Sequence, residues 1–109
     1  MAHLVGFFKK KFSPEKYKRD LETVKTEKDS KKLADIARYN DFSNVRLEAV
    51  NRINDESVLT DIAYKDSNKK VRMLAIKKIK DKFVLDDIAR NDSSRSIRQL
   101  AGNRLKELD

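Results

Sequence analysis

Cysteine is absent from this 109-residue chain, which excludes a disulfide, a thiolate nucleophile and any cysteine-ligated metal. The single histidine, His3, cannot build a two-histidine metal site, and a Ser-His-Asp triad would depend on that one residue near the chain start. Two glycines and one proline are too few for a phosphate-cradling glycine loop or a proline-rich linker. No segment approaches the roughly 20 consecutive apolar residues of a membrane-crossing helix. Leu4-Val5-Gly6-Phe7-Phe8 is too short for a signal-peptide core, and its lysines follow rather than precede it. Met1-Ala2 lacks the glycine required for N-myristoylation. Together these absences point away from an enzyme and towards a cytoplasmic helical protein, with no cofactor, metal or small-molecule substrate expected.

Charge and periodicity are what the chain does have. Lysine and arginine number 26 against 18 acids, a net charge of +8. Charged residues make up 40% and apolar residues 39%, so a core can form only if the apolar residues are patterned. They are. Residues 29–54, 55–80 and 81–106 align without gaps as three 26-residue copies, with Leu33/Leu59/Leu85, Ile36/Ile62/Ile88, Ala37/Ala63/Ala89 and Ala49/Ala75/Ala101 in register. Within a copy the apolar spacing is helical twice, at Leu33, Ile36, Ala37 and at Val45, Ala49, Val50, Ile53. Asp29, Asp55 and Asp81 precede the first helix of each copy (helix A), where a carboxylate accepts from unpaired backbone N–H groups. Polar turn residues separate helix A from the second helix (helix B). One such hairpin buries too little apolar surface alone, so stacked neighbours must share a core. In the last copy Gln99 replaces Leu47 and Met73, and Gly102 replaces Val50 and Ile76, as expected of a terminal copy with nothing stacked after it. Residues 1–28 match no copy. Ser13-Pro14-Glu15 is a helix start, and Tyr17, Leu21 and Val24 predict a capping helix from about Pro14 to Glu27.

The turn columns carry a further pattern. Asp66 and Arg72, with Val71 and Ala75, read D-x-x-x-x-V-R-x-x-A; Asp92, Ile97, Arg98 and Ala101 repeat it, and Asn40, Val45, Arg46 and Ala49 match with Asn in place of Asp. In these residues the chain resembles the HEAT-like repeat family, and its short period is similar to compact prokaryotic variants. The resemblance covers residues 29–106. It implies an all-α fold: an α-solenoid of three HEAT-like helical hairpins, with the N-terminal capping helix. It also implies a scaffold or adaptor that binds proteins and, in some members, nucleic acid. Architecture alone does not choose between those.

Three rows of side chains are candidates for function. Arg46, Arg72 and Arg98 project into the apolar arc of helix B, where a guanidinium is tolerable only if paired; with Asp66 and Asp92 they predict a structural ladder. Arg52, Lys78 and Arg104 recur at the edge of that arc. With Lys77 they are the residues expected to meet a protein partner with an acidic surface. The alternative is phosphate contact by Lys69, Lys70, Lys77 and Lys78, since the positive excess concentrates in residues 1–28 and the middle copy. A further alternative is peripheral membrane attachment through residues 1–12, apolar and then Lys9-Lys10-Lys11-Phe12. The Asp35/Asp61/Asp87 column offers no catalytic dyad and predicts local pairs, Asp35 with Arg38, Asp61 with Lys65 and Asp87 with Arg90. Arg72→Ala should lower stability more than Lys78→Ala, whose effect as an outer residue should stay within about half a kcal/mol.

Overall fold

The computed structural model describes residues 12–109, and there it is all-helical, with seven helices and no strand among the described residues. They are α1 (Pro14–Thr26), α2 (Ser30–Tyr39), α3 (Ser43–Asn51), α4 (Glu56–Lys65), α5 (Lys69–Lys78), α6 (Lys82–Asn91) and α7 (Arg95–Glu107). Ser13 caps α1 through its hydroxyl, which accepts from the Lys16 N–H at 3.2 Å, and Pro14 occupies the first turn, where a missing N–H costs nothing. Each helix A starts on its expected aspartate: Asp29, Asp55 and Asp81 each accept from two backbone N–H groups of the first turn.

The turns from helix A to helix B explain why so little glycine suffices. Asn40, Asp66 and Asp92 end α2, α4 and α6 in extended backbone, and each side chain accepts the N–H two residues on, at 3.0, 2.8 and 2.8 Å. An Asx side chain thus does the turning, and no described residue needs a positive φ.

Helices of 9 to 13 residues are marginal alone and depend on packing. Helices α2 and α3, α4 and α5, and α6 and α7 pack as pairs; α1, α3, α5 and α7 also pack successively on one another, whereas α2 touches α4 only lightly. A single apolar cluster runs through these contacts, from Val24 through Val45, Val50, Leu59, Ile76 and Leu85 to Ile97 and Ala101, all at most 1% exposed. At the end of the series Gln99 is exposed, and a Cβ at Gly102 would meet nothing within 4 Å.

Helix α1 departs from the expectation that residues 1–28 stand outside the repeat. It packs on α3 as α3 packs on α5, so it takes the place of a helix B. Subtracting one 26-residue period aligns Leu21 with Leu47, Val24 with Val50 and Asp20 with Arg46. Val24 is buried as Val50 is, whereas Arg19 and Thr23 are exposed where Val45 and Ala49 are buried against a helix A.

Candidate functional site

Two sets of bonds join each helix B to its neighbours, and they determine which side chains remain free. The first is the arginine ladder. Arg46 donates to Asp66 through Nε at 2.9 Å and Nη2 at 3.2 Å, and to its own turn at the Asn40 carbonyl at 2.8 Å. Arg72 meets Asp92 at 3.0 Å, and Arg98 donates to the Asp92 carbonyl of its own turn at 2.7 Å. The ladder therefore runs between hairpins, from one helix B to the turn of the next. At its N-terminal step the chemistry inverts. Asp20 stands in the arginine column, and the Asn40 amide donates to it at 3.1 Å across the same 20-residue separation as the two Arg–Asp pairs. A second carboxylate at position 40 would repel Asp20, which explains why this turn carries Asn. Lys16, 2.7 Å from Asp20, holds that carboxyl below its usual range, with help from the Asn40 amide.

The second set involves Arg52, Lys78 and Arg104, the row expected to point outward to a partner. Their donors are turned instead onto the preceding helix B. Arg52 donates to the Val24 carbonyl, Lys78 to the carbonyls of Val50 and Asn51 at 2.8 Å each, and Arg104 to that of Ile79 at 3.0 Å. The physical reason is local: the last carbonyls of a helix lack partners and carry the negative end of its dipole, so a cation is drawn there. Burial pushes the Lys78 ammonium below its ordinary pKa. This row latches helix to helix.

What remains is the outward ridge of helix B. One column reads Lys18, Asn44, Lys70, Ser96 and the next Lys25, Asn51, Lys77, Asn103. All eight are exposed, and neither column contains an acid. Among the described residues Lys70 and Lys77, with Lys69 beside them, meet no side-chain partner, whereas Lys78 of the phosphate-contact set is engaged within the fold. On the opposite layer Asp61 pairs with Lys65 at 2.8 Å as expected, which with Arg38 lowers its pKa. The other two local pairs do not form. Arg38 reaches across hairpins to Asp61 at 2.8 Å, Arg90 pairs with Asp86 at 3.0 Å, and Asp87 accepts from Asn91 at 2.8 Å and from the Tyr64 hydroxyl. Sequence reasoning missed the Asp20–Asn40 and Tyr64–Asp87 steps; the 26-residue offset is the signal that finds the first.

No cluster of acids and histidine suited to a metal occurs among the described residues, and no helix among them is long and apolar enough to cross a membrane. Of the segment proposed for membrane attachment, residues 1–11 lie outside the described residues. Phe12 packs its ring 5.9 Å from those of Tyr17 and Phe42. Comparison with family models, with curated proteins and with solved structures finds no match to this chain.

Proposed function

We propose that the chain is a HEAT-like α-solenoid that acts without catalysis, as a scaffold presenting its helix B ridge to a protein partner. The ridge supports this reading most directly. Arg46, Arg72, Arg52, Lys78 and Arg104 are engaged in holding neighbours together, whereas the Lys18/Lys70 and Lys25/Lys77 columns are exposed and free of acids, and their lysines have no side-chain partner among the described residues. A lysine without an internal partner gives up no bond when a carboxylate arrives, and helices latched at both ends hold those lysines in fixed rows. Preorganisation of this kind reduces the entropy lost on docking.

Placing a photo-crosslinking residue at Lys70 on the ridge, and separately at Lys31 on the opposite layer, tests the reading. Exposed to cell lysate, the ridge position should crosslink protein and the Lys31 position should not. Crosslinking at Lys31 alone would overturn it. Titration with labelled duplex DNA and RNA at two salt concentrations covers the nucleic-acid alternative: tight binding that collapses with salt would favour phosphate contact by Lys69, Lys70 and Lys77.

A further inference from the structure

Resting on the ridge reading, we infer that the half of the ridge centred on α5 docks an acidic amphipathic helix, its apolar side chains seated beside the lysines. The sequences of α5 and α7 contain one carboxylate between them, Glu107, and it is held by Arg104 at 3.3 Å. Lys70 and Lys77 stand two turns apart, about 10 Å along one face. On either side of that lysine ridge the helical period sets an apolar residue, Met73 towards α7 and Leu74 towards α3. Both are only partly buried, as are Leu47 of α3 and Leu100 of α7 in the neighbouring columns. Two shallow apolar furrows therefore flank a row of unpaired cations.

That combination selects among polyanions. A nucleic-acid backbone would match the lysines but leave the furrows facing phosphate and sugar. Among the described residues the exposed large aromatics, Phe12, Tyr39, Tyr64 and Phe83, all lie off α3, α5 and α7 and so offer no stacking platform on this face. An amphipathic helix with carboxylates beside its apolar stripe satisfies both features at once. The site also has an edge. Leu74 and Leu100 are replaced in the same column by Glu22 of α1 and Glu48 of α3, which repel an acidic ligand. The occupant is thereby confined to α5 and α7.

The probe is a phage-displayed library of random segments about 16 residues long, some four helical turns. It is selected on the full chain and counter-selected on a Lys69→Glu, Lys70→Glu, Lys77→Glu variant whose melting curve matches the parent. Selection should enrich segments of net negative charge with apolar residues at i, i+3 or i+4, and i+7. A synthesised winner should bind the parent at least about tenfold more tightly than the variant, and replacing its apolar residues by serine should weaken it by about tenfold as well. Enrichment without negative charge, enrichment without helical apolar spacing, or equal affinity for parent and variant would overturn the inference. Duplex DNA displacing the winner at lower concentration than the free peptide would overturn it in favour of a phosphate site. If Lys70 crosslinks a protein through a segment that is neither acidic nor amphipathic, this inference fails while the ridge reading stands. Absence of ridge crosslinking removes both.

Discussion

Where α3 meets the turn of the second hairpin, Arg46 reaches Asp66 at 2.9 Å through side chains 11% and 4% exposed; where α2 meets α4, Arg38 reaches Asp61 at 2.8 Å, with 27% and 28% exposed. The two pairs have nearly the same length and join the same two hairpins. Their surroundings differ, and so does the consequence of losing one partner. On the helix B side the helices pack closely and leave the pair little exposed, so an orphaned charge is poorly solvated. On the helix A side the helices touch lightly, and water replaces a lost partner at little cost. Each junction is thus clamped along one edge and loosely tied along the other.

Removing the buried acid tests the clamp most severely. Asp66→Ala leaves Arg46 with the Asn40 carbonyl alone and should cost about 3–5 kcal/mol, read from urea unfolding. Asp61→Ala, on the looser edge, should cost about 1 kcal/mol or less. Comparable losses in the two variants would erase the distinction between the edges.

Inverting one step sharpens the comparison. Asn40→Asp places a carboxylate against Asp20 and should destabilise by about 1–2 kcal/mol at neutral pH. The loss should shrink on acidification towards pH 4, as one of the two carboxyls takes up a proton. Adding Asp20→Arg to Asn40→Asp rebuilds the arrangement of the inner steps and should recover most of the loss. A double variant as unstable as the sum of its singles would show that α1 does not sit in the register of a helix B.

Lys78→Ala is a smaller break. Because its ammonium ties the last carbonyls of α3, the expected cost rises from the half kcal/mol suited to an outer residue to about 1–2 kcal/mol. Lys77→Ala, one position away and exposed, should change the melting temperature hardly at all. An equally silent Lys78→Ala would return that residue to the free ridge.

How much of this was legible in the sequence follows from what a repeat preserves. Apolar columns such as Leu33/Leu59/Leu85 and cap columns such as Asp29/Asp55/Asp81 keep their residue type because each copy buries or caps the same way. The arginine ladder was legible because a guanidinium in an apolar arc demands an acid, though the sequence left open which hairpin supplies it. The latch was not legible: a cation bound to backbone carbonyls has no partner column to match, so Arg52, Lys78 and Arg104 read as an outward row. Helix α1 itself was legible, but its place in the helix B register was not, because its key contact keeps the geometry and inverts the chemistry, with Asp20 and Asn40 in the places of Arg and Asp.

The subtlest break lies on the loose edge, where the hydroxyl of Tyr64 donates to Asp87. Burial, and then the neighbouring carboxylate, push the Tyr64 phenol up to about 12. A phenol whose folded pKa exceeds its unfolded value of about 10 contributes its stability fully below pH 10 and loses it as pH rises through 12. Asp87 behaves oppositely: the Tyr64 and Asn91 bonds lower its pKa, so its contribution is complete above the usual carboxylate range and fades under acid. Tyr64→Phe should therefore show a small deficit against the parent in a melting curve at neutral pH, and that deficit should vanish between pH 10 and 12. Of the three tyrosines in the chain, the substitution removes the one whose phenol ionises near pH 12, so that late step of the tyrosinate titration should disappear. A late titration step near pH 12 that survives in Tyr64→Phe, or a deficit that grows with alkali, would mean that this tie does not bridge α4 and α6.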